Sequence, residues 1–305
     1  MVSSKLLHQV IGACSKPDSV RIKDESAVNE KIHSIISHGA PALQVITDFD
    51  ATLTRYHLDG NKCDSSYGII ATSPLVSSDY RDKAMELYKK YYPIEVTPTM
   101  TIQEKIPHMI EWYEKSHEYM ISCQPPLKRS SIQDMVKLST ATLRDNAKTA
   151  VERMSQAGIP LLVLSAGIGD VVQAVLQASG IDLPNVQVIS NFMQFDDAME
   201  NIVGFKEPLI HMYNKNEAAI HDDNSNYFKD LRSRHNIILL GDSLGDSNMD
   251  HGVADPKNVL KIGFLNAHFE QHLEEFMTAF DIVLVDDQSF DLVNLLLDHL
   301  LAPAR

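Results

Sequence analysis

Cysteine is scarce: the chain of 305 residues has three, Cys14, Cys63 and Cys123, with no CxxC pair among them. An odd, unpaired set excludes a disulfide framework and a cysteine-built zinc site, and it points to a reducing compartment. Positive charge is short as well: 27 Lys and Arg face 41 Asp and Glu, a formal charge of −14. That balance argues against a partner that is a nucleic acid polymer or an anionic membrane. It leaves room for a small anionic substrate, provided a metal or a few basic side chains create a local positive site. No run of about 18 apolar residues exists, so no transmembrane helix is expected. The start, "MVSSKLLHQVIGACSKPDSV", has too short an apolar stretch for a signal peptide. A cytoplasmic location is the expectation. There is no internal repeat and no low-complexity segment, and the first 25 residues read as a loosely held arm.

What is present is an alternation. Residues 25–38 have helical apolar spacing at Val28, Ile32, Ile35 and Ile36, and Gly39 stands where it can end the helix. A short apolar strand, 43–48, follows. Residues 58–75 are polar and turn-rich. Beyond them "SSDYRDKAMELYKKYY" reads as a helix stopping at Pro93, and 101–123 as a helix with apolar positions from Ile102 to Met120. "SSIQDMVKLS" is a third, and the stretch shows no comparable strand signal. From about 142, helices alternate with the apolar strands "IPLLVLSAG", "VQVISN", "NIILLGDS", "NVLKIGFL" and "DIVLVDD". Helical segments are expected at 225–233, 246–252, 267–279 and 289–301, and "NFMQFDDAMENIVGFK" reads as a hairpin. The pattern predicts an α/β fold with a Rossmann-like parallel sheet covered on both faces. Its core takes in residues 1–57 and 142–305, and a helical cap domain, 58–141, is inserted after the strand at 43–48.

In such sheets ligands meet the carboxyl ends of the strands. The strand at 43–48 ends in "DFDATLT", with Asp48 and Asp50. The next ends in "LSAG", with Ser165. A later one ends in "GDSLGD", with Asp242 and Asp246, and Lys206 and Lys215 lie before it. Clustered carboxylates select a hard cation, and a few of them with water suit Mg²⁺. With a cation present the aspartates stay ionised and a phosphate can approach. One aspartate can then be a nucleophile and another a general acid and base, while Lys and Ser hold phosphoryl oxygens. Taken singly, a DxD pair reads as a turn, "GDSLGD" as a helix cap and a serine after a strand as a cap. Their ordered occurrence is what points to chemistry.

"DFDATLT", "LSAGIGD", Lys215 and "GDSLGD" resemble the four ordered motifs of the haloacid dehalogenase superfamily. "YYPIEV", "KIPHMIEWYEKSH", "GFKEPLIHMYNKN" and "NIILLGDSLGD" are similar to the cytosolic 5′-nucleotidase III family, from about residue 25 to 301. The resemblance implies a Mg²⁺-dependent 5′-nucleotidase. It would hydrolyse pyrimidine nucleoside monophosphates such as CMP and UMP, 7-methylguanosine monophosphate, or both, through an aspartyl-phosphate. Phosphate transfer to a nucleoside is the side activity of such an intermediate. By the same resemblance Asp48 is nucleophile and metal ligand, and Asp50 is acid and base with its carbonyl on the metal. Ser165 and the Ala166 N–H bind phosphate, Lys215 neutralises it, and Asp242 with Asp246 completes the metal shell. Glu95 and Ser116 match nucleoside contacts. Tyr67 and Tyr113 match positions where a ring meets the base, though Trp112 and Tyr113 also have the spacing of core packing. Tyr113 stands where the commoner pattern has a second tryptophan, which implies a smaller stacking face. His57 reads as an exposed loop residue, His117 has no assigned role, and Lys206 is the rival lysine. The substrate partner is a nucleoside monophosphate and the protein a monomer. The alternatives are a phosphatase of the same superfamily for another small phosphomonoester, and a non-catalytic nucleotide-binding protein.

Overall fold

The structure, a computed structural model, describes residues 4–97, 99–198, 200–216, 231 and 233–302. Seven strands form one sheet: β1 (Val20–Ile22), β2 (Leu43–Thr47), β5 (Leu161–Ile168), β6 (Val186–Asn191), β9 (Asn236–Gly241), β10 (Asn258–Leu265) and β11 (Ile282–Val285). Their order is β1-β11-β10-β9-β2-β5-β6. All neighbours are parallel except β1, which runs antiparallel to β11 at the edge. Two small hairpins stand apart, β3 (His57–Leu58) with β4 (Asn61–Lys62), and β7 (Met193–Phe195) with β8 (Ile202–Phe205). The second is the hairpin expected from "NFMQFDDAMENIVGFK".

The strand pleat sends alternate residues to opposite faces. Val45, Ile238 and Leu240 join one core cluster, while Ile46, Ile237 and Leu239 join another. Both faces are buried, which is why β2 and β9 read as unbroken apolar runs. The larger cluster is covered by α1 (Ser4–Ala13), α2 (Glu25–His38), α7 (Ala147–Gln156), α8 (Gly169–Ala178) and the helix Asp291–Leu300. The smaller is covered by the helix Phe269–Ala279, which buries Phe276. Helix α2 starts where Asp24 accepts the Ala27 N–H at 2.9 Å. It ends at Gly39, whose φ of 73° suits glycine.

Between β2 and α7 lie α3 (Ser66–Thr72), α4 (Ser78–Val96), α5 (Ile102–Ser122) and α6 (Ile132–Leu138). Thr101 and Glu104 form a capping box at the start of α5. A third cluster, Leu87, Tyr91 and Met109, joins α4 to α5 and packs against Met212 and Tyr213.

Four expectations change. From Ser4 the arm before residue 25 is folded: α1 buries Leu7 and Val10, and β1 extends the sheet. Helix α4 runs through Pro93 to Val96, because buried Leu87 and Tyr91 fix the helix more strongly than one proline breaks it. Ile102, read as part of an apolar face, is exposed at the start of α5. Residues 246–252 are not a helix; a short 3₁₀ turn spans Leu244–Asn248. The helix expected at 225–233 falls, apart from 231 and 233, outside the described residues.

Candidate functional site

Asp48 follows β2 directly, and its N–H donates to the Leu240 carbonyl of β9 at 2.9 Å. Because β9 is the neighbour of β2, Asp242 and Asp246 arrive beside it. Oxygens of Asp48, Asp242 and Asp246 all lie within 4.8 Å of one another. Asp246 is fixed by the amide N–H groups of Asp242 and Ser243, at 3.0 and 2.9 Å to its Oδ2. Its closeness dictates Gly241, where a Cβ would stand 2.2 Å from the Asp246 Cβ.

Lys215 is buried among these carboxylates. Its Nζ pairs with Asp48 Oδ1 and lies 2.7 Å from Asp246 Oδ1. Burial works against the ammonium, but Asp246 and Asp48 outweigh it and hold its pKa above the ordinary lysine value. Burial raises the pKa of Asp48, and the Lys215 charge pulls it back only in part. Burial also lifts Asp242 well above the carboxylate range, helped by Asp48 and Asp246. Two buried carboxylates and a half-buried one facing one ammonium are short of positive charge, and their hard oxygens fit a divalent cation. Lys206, the rival, is exposed and lies over the Phe192 ring at 5.5 Å.

Asp50, expected to reach the metal through its backbone carbonyl alone, has its side chain engaged elsewhere. Its carboxylate stands outside the acidic triad and accepts the Ser66 N–H at 2.7 Å and the Ser66 hydroxyl at 2.6 Å. Burial raises its pKa while those two bonds oppose the rise. Ser165 is buried in β5, and its Oγ accepts the Gly167 N–H at 3.0 Å. Ala166 is buried beside it, its carbonyl held by Asn191 Nδ2 at 2.8 Å. The same Asn191 side chain donates to the Ile210 carbonyl and accepts the Ile210 N–H, tying the Ser165–Gly167 segment to the one that leads to Lys215.

A cavity of about 510 Å³ opens between α3, α4 and α5. Tyr67, Glu95, Tyr113 and Ser116 line it, with Trp112, Tyr88 and Lys62. Tyr67 meets Tyr113 edge-on at 5.6 Å, so both ring faces are not consumed by each other. The Ser116 hydroxyl donates to the Trp112 carbonyl at 2.8 Å. Burial lifts Glu95 to about 7, against the pull of Lys62 and Lys105. Burial raises the pKa of the Tyr113 hydroxyl, and the charges of Glu95, Asp50 and Asp48 add to the rise while Lys215 opposes it. Ser65 and Tyr67 line the cavity on either side of Ser66, the residue that holds Asp50.

Three residues were not singled out from sequence. Ser66 and Asn191 are described above. Arg144 is buried, and its guanidinium donates to the carbonyls of Ala51, Thr52 and Asp287 and to Asn266 Oδ1. It steadies the turn after Asp50, where Ala51 has a φ of 59°. No spacing rule marks such residues, because their partners lie far off in the chain. His57 is half-buried rather than an exposed loop residue, its Nε2 2.6 Å from Asp286. His117 is buried, 2.9 Å from the Tyr67 hydroxyl and stacked on Phe205 at 3.6 Å.

Known proteins share this arrangement. The family described as pyrimidine 5′-nucleotidase (UMPH-1) matches residues 51–301. The 7-methylguanosine phosphate-specific 5′-nucleotidase of Mus musculus is 42% identical over 284 residues, covering 93% of each chain. That of Homo sapiens is 41% identical over 283 residues, again 93% of each. The solved structure of cytosolic 5′-nucleotidase IIIB bound to cytidine superposes with a TM-score of 0.87 at 38% identity, over 96% of each chain. A HAD family hydrolase from Salmonella enterica, 12% identical with a TM-score of 0.51, shares the fold. Sequence and fold together place this chain in the pyrimidine 5′-nucleotidase family, hydrolases built on the haloacid dehalogenase fold.

Proposed function

We propose that the chain hydrolyses nucleoside 5′-monophosphates to nucleoside and phosphate, with 7-methylguanosine monophosphate and the pyrimidine nucleotides CMP and UMP as substrates. The observation that carries this reading is the junction of two features. Lys215 is seated between Asp48 and Asp246, and an aromatic cavity holding the Glu95 carboxylate adjoins them. A phosphate fits the first and a flat base the second. A cationic 7-methylguanine gains from electron-rich rings and a carboxylate, and Tyr67, Tyr113, Trp112 and Glu95 supply both. The names of the mouse and human relatives favour that base, and the cytidine in the related structure favours the pyrimidine.

In the proposed mechanism an Asp48 oxygen attacks phosphorus and displaces the 5′ oxygen, which takes a proton from Asp50. Lys215, the Ser165 hydroxyl and the Ala166 N–H hold the phosphoryl oxygens as charge builds on them. Asp50 then takes a proton from water, and that water cleaves the aspartyl-phosphate. Asp48, Asp242 and Asp246, with the Asp50 carbonyl, would hold Mg²⁺. Once bound, the ion neutralises the carboxylates and polarises the phosphoryl group. Residues 58–141 act as a cap that closes over the nucleoside. The protein works as a cytoplasmic monomer. Among the described residues no helix is long and apolar enough to cross a membrane, and a relative from Caenorhabditis elegans is named a putative cytosolic 5′-nucleotidase.

The test is phosphate release from CMP, UMP, 7-methyl-GMP, AMP and phosphoserine, with Mg²⁺ and with EDTA. Metal-dependent turnover of the first three above the last two is expected. Preference for phosphoserine would favour a different monoesterase, and absence of turnover with intact binding would favour a nucleotide-binding protein.

A further inference from the structure

Both oxygens of Asp50 are held by one residue. Oδ1 accepts the Ser66 N–H at 2.7 Å and Oδ2 the Ser66 hydroxyl at 2.6 Å. Ser66 is completely buried and opens α3, so it comes from the block inserted after β2 rather than from the sheet. On its other side lies Gly167, the last residue of the "SAG" turn. A Cβ on Gly167 would stand 1.9 Å from Ser66 Oγ and 2.9 Å from Ser66 Cβ. Gly167 cannot retreat. Its N–H is bonded to Ser165 Oγ at 3.0 Å, and its carbonyl accepts the Ser190 hydroxyl at 2.8 Å. The glycine is required for space alone, and that space belongs to the Ser66 hydroxyl.

We infer that Ser66 is a positioning residue: the inserted block supplies the two donors that aim the Asp50 carboxylate, and Gly167 keeps open the space in which one of them acts. The inference rests on the assignment of Asp50 as the acid and base. A carboxylate held at both oxygens is confined to one orientation, whereas one that turns freely spends less time facing the leaving oxygen. Since the donors arrive with α3, the aim of Asp50 depends on where the inserted block sits. Seating the block over a substrate and pointing the acid are then one event.

The experiment is steady-state kinetics on 7-methyl-GMP and CMP with the full chain as wild type, Ser66→Ala, Ser66→Cys, Gly167→Ala and the Ser66→Ala/Gly167→Ala double variant. Melting temperatures are recorded alongside. Ser66→Ala should lower kcat about tenfold, ~1.4 kcal/mol of barrier, with KM within about twofold. Ser66→Cys, a weaker donor, should fall between. Gly167→Ala should lower kcat at least as far, and the double variant no further than Gly167→Ala alone, because both changes remove the same bond. If Gly167→Ala does not fold, the order wild type, Cys, Ala at constant KM decides. A Ser66→Ala kcat within twofold of wild type overturns the inference, as do additive losses in the double variant. Asp50→Asn separates this from the wider reading. If Asp50→Asn turns over normally, the acid assignment itself fails. If it is inactive while Ser66→Ala is normal, only the role of Ser66 fails.

Discussion

Glu95→Gln should make this protein more stable at pH 8 and leave it unchanged at pH 4. Glu95 lines the cavity, where burial lifts its pKa from 4.5 to about 7 although Lys62 and Lys105 oppose the rise. The folded state therefore holds the Glu95 proton more tightly than the unfolded chain. That contribution to stability is fully present below about pH 4.5 and is lost as pH rises through about 7. The distance between those values corresponds to ~3.4 kcal/mol. Solvent reaches part of the side chain, and screening reduces the usable figure to ~1–2 kcal/mol. Glutamine keeps the shape and never ionises, so the variant escapes the loss. For a chain of 305 residues the gain is about 2–3 °C in melting temperature at pH 8. The same variant should lose ~10–100-fold in kcat/KM on 7-methyl-GMP, the worth of hydrogen bonds between a carboxylate and a charged base. Thermal unfolding at pH 4, 6 and 8, with kinetics at pH 8, measures both. Melting curves that stay parallel at every pH would refute the electrostatic reasoning. Added stability with unchanged kcat/KM would remove Glu95 from the base-binding site.

Asp48→Asn should fold normally and lose about 10⁴-fold or more in kcat, read by phosphate release, since no carboxylate then attacks phosphorus. Lys215→Met should cost ~3–5 kcal/mol in urea unfolding without metal, because it leaves Asp48 and Asp246 buried without their ammonium. Mg²⁺ at a hundred times its dissociation constant should add ~2.7 kcal/mol to the wild type. Asp242→Asn should weaken that effect; an equal melting shift in the variant would exclude Asp242 from the metal site. Arg144→Lys cannot reach all four of its acceptors. It should lower both melting temperature and kcat, and a variant indistinguishable from wild type would show that the turn after Asp50 needs no clamp.

The strands were legible because burial on both faces writes itself as apolar runs, and three of the four acidic residues read at their ends, Asp48, Asp242 and Asp246, come together in the fold. Lys215 over Lys206 was legible only through the resemblance; in the fold, burial separates them. The order β2-β9 is not written locally, yet it is what brings Asp242 to Asp48. The arm before residue 25 was misread because each of α1 and β1 is short and finds its stability in Leu7, Val10 and the β11 edge. Pro93 was overweighted, since a breaker acts locally while Tyr91 is held by distant neighbours. Ser66 lay in a stretch that read only as polar and turn-rich, and Gly167 in the small-residue end of a strand. Their mutual fit spans 101 positions of chain and leaves no periodic trace.

Thr52 and Asp242 face each other across 190 positions of sequence, and β2 gains its partner β9 only after the inserted block, β5 and β6 have all been made. On a ribosome β2 emerges early, and its β9 edge stays open even after β5 has paired with the other. Such distant pairing folds slowly. Completion of the acidic site is therefore a late acquisition in biosynthesis: a nascent chain halted anywhere before Gly241 carries Asp48 but has no Asp242 or Asp246 to set beside it.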